Sequence, residues 1–125
     1  MNRIIFLILC WAALTTSAEK PSWLPDNDIE LMKKCGNETL SGPGCLRLKF
    51  HAYHLCCAKA LNIYSEDTGL NVERLTYSFF ESTDCGKPLV QNCVDQHKEI
   101  ISKGEMISET LKCITEKITE SEVNC

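Results

Sequence analysis

The chain has 125 residues, 17 acidic side chains against 13 basic ones, a formal net charge of -4 at pH 7, and nine cysteines. An acidic balance argues against nucleic acid or an anionic lipid surface as partner, since either would be approached against its own charge. The length supports one domain with a modest core, burying roughly two-thirds of the surface its unfolded chain exposes, and no repeat or low-complexity tract subdivides it.

Residues 1–18 read as a secretory signal: Arg3 supplies the positive start, Ile4 to Leu9 the apolar run, and Thr16-Ser17-Ala18 the small-residue cleavage site. Residues 19–125 are then the mature domain. The apolar run is too short to span a bilayer and no other stretch replaces it, so the expected protein is secreted, soluble and not inserted in a membrane. Cleavage removes Cys10 and leaves Cys35, Cys45, Cys56, Cys57, Cys85, Cys93, Cys113 and Cys125. That even set in an oxidising compartment reads as a disulfide framework.

Pro25-Asp26-Asn27-Asp28 starts a short helix with acidic residues in its first turn, carrying Leu24, Asp28, Leu31 and Cys35 on one face and stopped by Gly36. Gly42-Pro43-Gly44 breaks the chain. From Cys45 onward Leu46, Phe50, Tyr53, Cys57 and Leu61 recur at helical spacing. Asn71 caps a third helix bearing Val72, Leu75, Phe79 and Phe80. Lys87-Pro88 opens a fourth, with Leu89, Cys93, Gln96 and Ile100 aligned. Gly104 interrupts, and Ile107, Leu111, Ile114 and Ile118 then form the cleanest apolar stripe of the chain. No segment alternates at period two for long enough to predict a strand. The expected fold class is all-α: a single-domain bundle of about five to six short helices with disulfides around an apolar cavity.

Consecutive positions on a helix point about 100° apart, so Cys56 and Cys57 are expected to pin their helix to two different neighbours, a bond between the two being strained. Eight cysteines allow 105 connectivities, and spacing does not choose among them.

His51-Ala52-Tyr53, Cys57, Leu61-Asn62-Ile63, Gly69-Leu70-Asn71-Val72-Glu73-Arg74-Leu75, Cys93 and Glu109-Thr110-Leu111-Lys112-Cys113 together resemble the insect odorant- and pheromone-binding proteins, all-helical extracellular carriers of small apolar molecules. In that family a central helix carries two cysteines one turn apart, and two later helices carry more. The first of the central pair would fall at Tyr53 and its bonding partner at Gly104, so both ends of one family bridge are missing together. The segment from Gly36 to Leu46 is also shorter than the family's second helix. By the resemblance Cys35–Cys57 and Cys93–Cys113 are the retained bridges; the additional Cys45, Cys56, Cys85 and Cys125 pair among themselves, with Cys45–Cys56 and Cys85–Cys125 favoured.

The resemblance implies a carrier for a small hydrophobic ligand, with a membrane receptor as a further candidate partner and the oligomeric state open. A cavity needs more inward apolar side chains than close packing can fill, and the candidates for its wall are Leu31, Phe50, Tyr53, His54, Leu75, Phe79, Phe80, Leu89, Met106, Ile107, Leu111 and Ile114, each of which serves equally as plain core. Tyr53 is placed to fill the space of the missing bridge, its hydroxyl meeting a ligand's polar end or a backbone carbonyl. His54 or His97 is a candidate for titration near neutral pH that loosens the pocket, against the plainer reading of an exposed, inert ring.

A metal site at His51, His54 and Cys57 is disfavoured, because zinc competes with disulfide formation and no further ligand stands at useful spacing. Hydrolase, metalloprotease and phosphate-loop signatures are absent, and a phospholipase reading lacks calcium-loop glycines and a His-Asp pair, so neither an enzyme nor a cofactor is expected. Asn37-Glu38-Thr39 is a glycosylation sequon expected in a loop. A plant-type lipid-transfer protein is disfavoured because seven residues separate Cys85 from Cys93, where that family leaves one. The remaining alternative is a secreted interaction protein of the venom or saliva type, reusing the scaffold with a filled interior and an exposed apolar patch.

Overall fold

The computed structural model describes residues 20–121; the expected signal segment and Cys125 lie outside that range. Among the described residues there are five helices, α1 (Asp28–Thr39), α2 (Leu46–Ala60), α3 (Val72–Phe80), α4 (Lys87–His97) and α5 (Lys103–Ser121). The all-α class holds. A small addition is an antiparallel pair, β1 (Tyr64–Ser65) and β2 (Gly69–Leu70), which brings Tyr64 opposite Leu70 in the α2–α3 connection.

Local chemistry accounts for most boundaries. Asn71 caps α3, its side chain accepting from the Arg74 N–H at 3.0 Å. Pro88 stands in the first turn of α4, where a missing N–H costs nothing. Gly36 does not stop α1: the helix runs through it to Thr39, whose hydroxyl donates to the Cys35 carbonyl at 2.7 Å. The break comes at Gly42-Pro43-Gly44, where Gly42 adopts φ 84° and its carbonyl accepts from the Lys49 ammonium across the turn. Asn37 is consequently an exposed residue of the last turn of α1 rather than of a loop.

α2 packs between α1 and α5, and α4 between α3 and α5. Between them lies a closed core in which Leu61, Ile63, Leu75, Phe79, Val90, Ile107 and Ile114 are each at most 1% exposed. The Ile107, Leu111, Ile114, Ile118 stripe of α5 is buried along its whole length, as helical amphipathicity requires of an element packed against both α2 and α4. A clip secures the N-terminal segment: the Trp23 ring meets Tyr77 edge-on at 5.9 Å, the Arg74 guanidinium lies 5.2 Å from the Trp23 centroid, and Asn62 Nδ2 donates to the Trp23 carbonyl at 2.8 Å.

Two disulfides tie helix pairs. Cys93 of α4 bonds Cys113 of α5, and Cys35 of α1 bonds Cys56 of α2. The second corrects the expected Cys35–Cys57 and, by consuming Cys56, also the expected Cys45–Cys56. The reason is rotation about the α2 axis: Cys57 points straight into the core at 0% exposure, and Cys56, one residue earlier, is turned toward α1. Cys57 is a free, buried thiol and Cys45 a free, exposed one. Cys85 is disulfide-bonded; its expected partner Cys125 lies outside the described residues.

Candidate functional site

The residues expected to line a cavity divide into two groups. Leu75, Phe79, Phe80, Met106, Ile107, Leu111 and Ile114 are 0 to 5% exposed and belong to one continuous core. Side chains so placed fill the centre against one another. Leu31, Phe50, Tyr53, His54 and Leu89 are half-buried and reach the surface. Tyr53 and Leu89 pack on the rim of the core, whereas Leu31 and Phe50 stand outside it among the described residues.

Three of the half-buried group, Phe50, Tyr53 and His54, lie together on α2, and His54 reaches α5; Leu31 on α1 and Leu89 on α4 are not among them. The Phe50 and His54 rings stack with centroids 6.0 Å apart, and Tyr53 and His54 lie tilted at 5.8 Å. His54 Nδ1 shares a hydrogen bond with Ser108 Oγ of α5 at 2.8 Å. Burial first, and the neighbouring His51 second, push the His54 pKa down to about 4. His54 is therefore neutral at physiological pH, which corrects its expected titration near neutrality. Tyr53 hydrogen-bonds the Cys57 thiol, and burial pushes that thiol up to about 11 against the opposing effect of the Tyr53 bond. The Tyr53 ring faces α1, 3.8 Å from where a side-chain carbon on Gly36 would be, whereas the atoms nearest Gly104, the other end of the missing bridge, belong to His51.

Gly104 explains why α2 and α5 approach so closely. A Cβ there would sit 2.7 Å from the His51 carbonyl oxygen, so only glycine lets the two backbones touch. The sequence marks Gly104 only as an interruption; in the structure it lies in the first turn of α5 and is buried. Ser108, one turn further along, carries no sequence signal of its own. Its role depends on His54 facing it.

A concavity lies between α4 and α5, away from this junction: an open groove of about 310 Å3 lined by Gln96, His97, Glu109, Lys112, Cys113, Glu116, Lys117 and Glu120. Its walls are polar and none of the apolar candidates enters it. His97 Nδ1 donates to the Cys93 carbonyl at 2.9 Å, a bond within its own helix. Among the described residues no three His, Cys, Asp or Glu side chains gather as a metal-binding group, and no helix is long and apolar enough to cross a membrane.

The first turns of α2 are unusual for their exposure. Leu46 and Leu48 are 63% and 64% exposed, beside the exposed Cys45 thiol at the helix N-terminus. The backbone N–H groups of Leu48 and then Arg47, in the first turn of the helix, lower the pKa of that thiol. Compared with protein-family models, with curated proteins and with solved structures, the chain has no match.

Proposed function

We propose that the chain is an extracellular, non-catalytic carrier of a small hydrophobic molecule, odorant-, pheromone- or fatty-acid-like, as its resemblance to the insect odorant- and pheromone-binding proteins implies. The observation that carries this reading is the α2–α5 junction, where Phe50 and Tyr53 supply apolar surface next to the convergent polar pair His54 and Ser108. Apolar walls with a few placed polar groups are the ordinary makeup of a small-molecule site.

The bridges add support. With Cys56 bonded to Cys35, the family's one-turn cysteine spacing places its missing central cysteine at Ala52 rather than Tyr53. Ala52 adjoins the His51 backbone on which Gly104 presses. The absent bridge would thus join the elements that touch here. Without it, the first turns of α2 are held to α5 by packing, the His54–Ser108 bond and an exposed Arg47–Glu105 contact at 3.9 Å, the last worth little. A ligand enters by displacing these turns, its apolar body against Phe50, Tyr53, Ile107 and Leu111 and its polar end at His54 and Ser108. Titration of purified protein with an apolar naphthylamine dye tests this: saturable binding, displaced by long-chain fatty acids and weakened at least tenfold by Phe50→Ala, is expected. Absence of saturable binding across a panel of such dyes overturns it.

A second reading, a secreted interaction protein, draws on a different observation: the closed centre combined with the exposed Leu46 and Leu48. It predicts no dye binding at all, and an unchanged interior when Leu46 and Leu48 are replaced by serine.

A further inference from the structure

Asn37-Glu38-Thr39 is the only Asn-x-Ser/Thr triplet of the chain, and neither the core nor the α2–α5 junction uses it. In the fold it forms the end of α1. Asn37 is exposed, on a strip of α1 and its following turn where Lys33, Lys34, Glu38 and Ser41 are exposed as well, whereas Met32 and Cys35 are buried. The surroundings of Asn37 are therefore polar and open to solvent, with room for a bulky hydrophilic group. Thr39 stands differently. It is half-buried, and its hydroxyl donates to the Cys35 carbonyl at 2.7 Å. Two helical positions turn a side chain by about 200°, so the folded helix presents the Asn37 amide and the Thr39 hydroxyl on different sides. The enzyme that modifies such a triplet requires both side chains in one extended segment.

We propose that Asn37 carries an N-linked oligosaccharide, attached before α1 closes and before Cys35 bonds Cys56. The donor is an oligosaccharide joined to a polyprenyl lipid through a diphosphate. Asn37 Nδ2 forms a bond to the anomeric carbon of the first sugar and loses one proton; the bond from that carbon to the diphosphate oxygen breaks, and the lipid diphosphate leaves with the electron pair. No oxidant or reductant takes part. The folding order permits the step. At 12 residues α1 is too short to be stable alone in water, and its bonded partner on α2, Cys56, is nineteen positions behind Asn37. At a synthesis rate of roughly 5–20 residues per second, Cys56 follows Asn37 by about 1–4 s. During that interval the triplet is unfolded and its hydroxyl uncommitted. Once α2 arrives and the bridge forms, the helix is held and Thr39 turns away. The attached glycan then stands on the outer strip of α1, where it displaces no packed side chain.

This inference rests on the extracellular reading of the chain, and one assay separates the two. The full chain is synthesised in a cell-free extract with microsomal vesicles, where signal cleavage, protection from added protease and a single endoglycosidase-sensitive increase in mass are expected. Asn37→Gln should abolish the increase, and Thr39→Ser, which keeps a hydroxyl, should retain it. A chain that is cleaved and protected but carries no glycan overturns the modification alone; a chain neither cleaved nor protected overturns the extracellular reading and the modification with it. The order of events is read separately. The unglycosylated full chain, refolded with its disulfides intact, is offered to detergent-solubilised transferase and a lipid-linked oligosaccharide diphosphate, beside the same chain reduced and carboxamidomethylated. The reduced chain should be modified at least tenfold faster. Equal rates overturn the order, and no modification of either chain overturns the site.

Discussion

The two free thiols of α2 occupy opposite chemical settings. Cys45, at the helix N-terminus, is exposed and its thiolate is favoured by the Leu48 and Arg47 amides, whereas Cys57 is enclosed and pushed up to about 11. Because the thiolate is the reacting species, a brief pulse of iodoacetamide near neutral pH should alkylate Cys45 and spare Cys57 until the protein is unfolded. Peptide mapping by mass spectrometry reads both sites at once: equal labelling of the two would contradict the enclosure of Cys57, and labelling of Cys56 on unfolding in place of Cys57 would contradict the pairing of Cys35 with Cys56. That they cannot bond each other follows from the helix between them, which sets them about 18 Å apart along its axis. The adjacent cysteines were legible in the sequence as pointing to different surroundings. Which of them faced α1 was not, because that depends on the rotation of α2 against its neighbours, a property of side-chain packing around Tyr53 and Gly36 rather than of spacing.

Glycines at helix ends separate what sequence conveys about an element from what it conceals. Asn71, Pro88 and the α5 stripe act within a few residues of themselves, and helices were readable from them. Gly36 and Gly104 look in the sequence like a stop and an interruption, whereas each serves a contact with another helix: Gly36 lies under the Tyr53 ring and Gly104 against the His51 backbone. The Gly104 case gives a test with a definite sign. Gly→Ala inside a helix ordinarily stabilises by up to about 1 kcal/mol, but here the added carbon would lie 2.7 Å from a backbone oxygen that has no flexible end to move. Forcing the helices apart should cost about 1–3 kcal/mol, so Gly104→Ala should lower the denaturant midpoint; a rise would mean that α2 and α5 are not in backbone contact. Asn71→Ala should also destabilise, by about 1 kcal/mol, through loss of the bond to the Arg74 N–H. Because α3 lies away from the α2–α5 junction, this cap variant should leave dye affinity unchanged, which urea titration and dye binding on one sample would check.

At the scale of the whole molecule, the sequence identified which faces turn inward but not whether they meet. Leu75, Phe79, Ile107 and Ile114 would read identically around a hollow and around a solid centre; the difference is set by helix separation, here made small by Gly104 and by the Cys35–Cys56 and Cys93–Cys113 ties. The closed packing also decides how the fold responds to acid. His54 is held at a pKa of about 4 in the folded protein, against about 6.5 in an unfolded chain. Above pH 6.5 the ring is neutral in both states and contributes nothing to pH dependence. Between pH 6.5 and 4 the unfolded state takes up the proton first, so stability falls as pH falls, by up to about 3 kcal/mol for a shift of this size, less where the half-buried ring retains contact with water. Protonation would also remove the acceptor capacity of the imidazole toward Ser108 and set a charge beside His51, loosening the junction at which ligand entry is proposed. Melting curves from pH 7 to pH 4 should therefore show a decline that His54→Gln, a neutral side chain able to keep a hydrogen bond to Ser108, substantially flattens. If wild type and His54→Gln lose stability in parallel over that range, the acid response originates in the carboxylates and the α2–α5 junction is not a point of acid sensitivity.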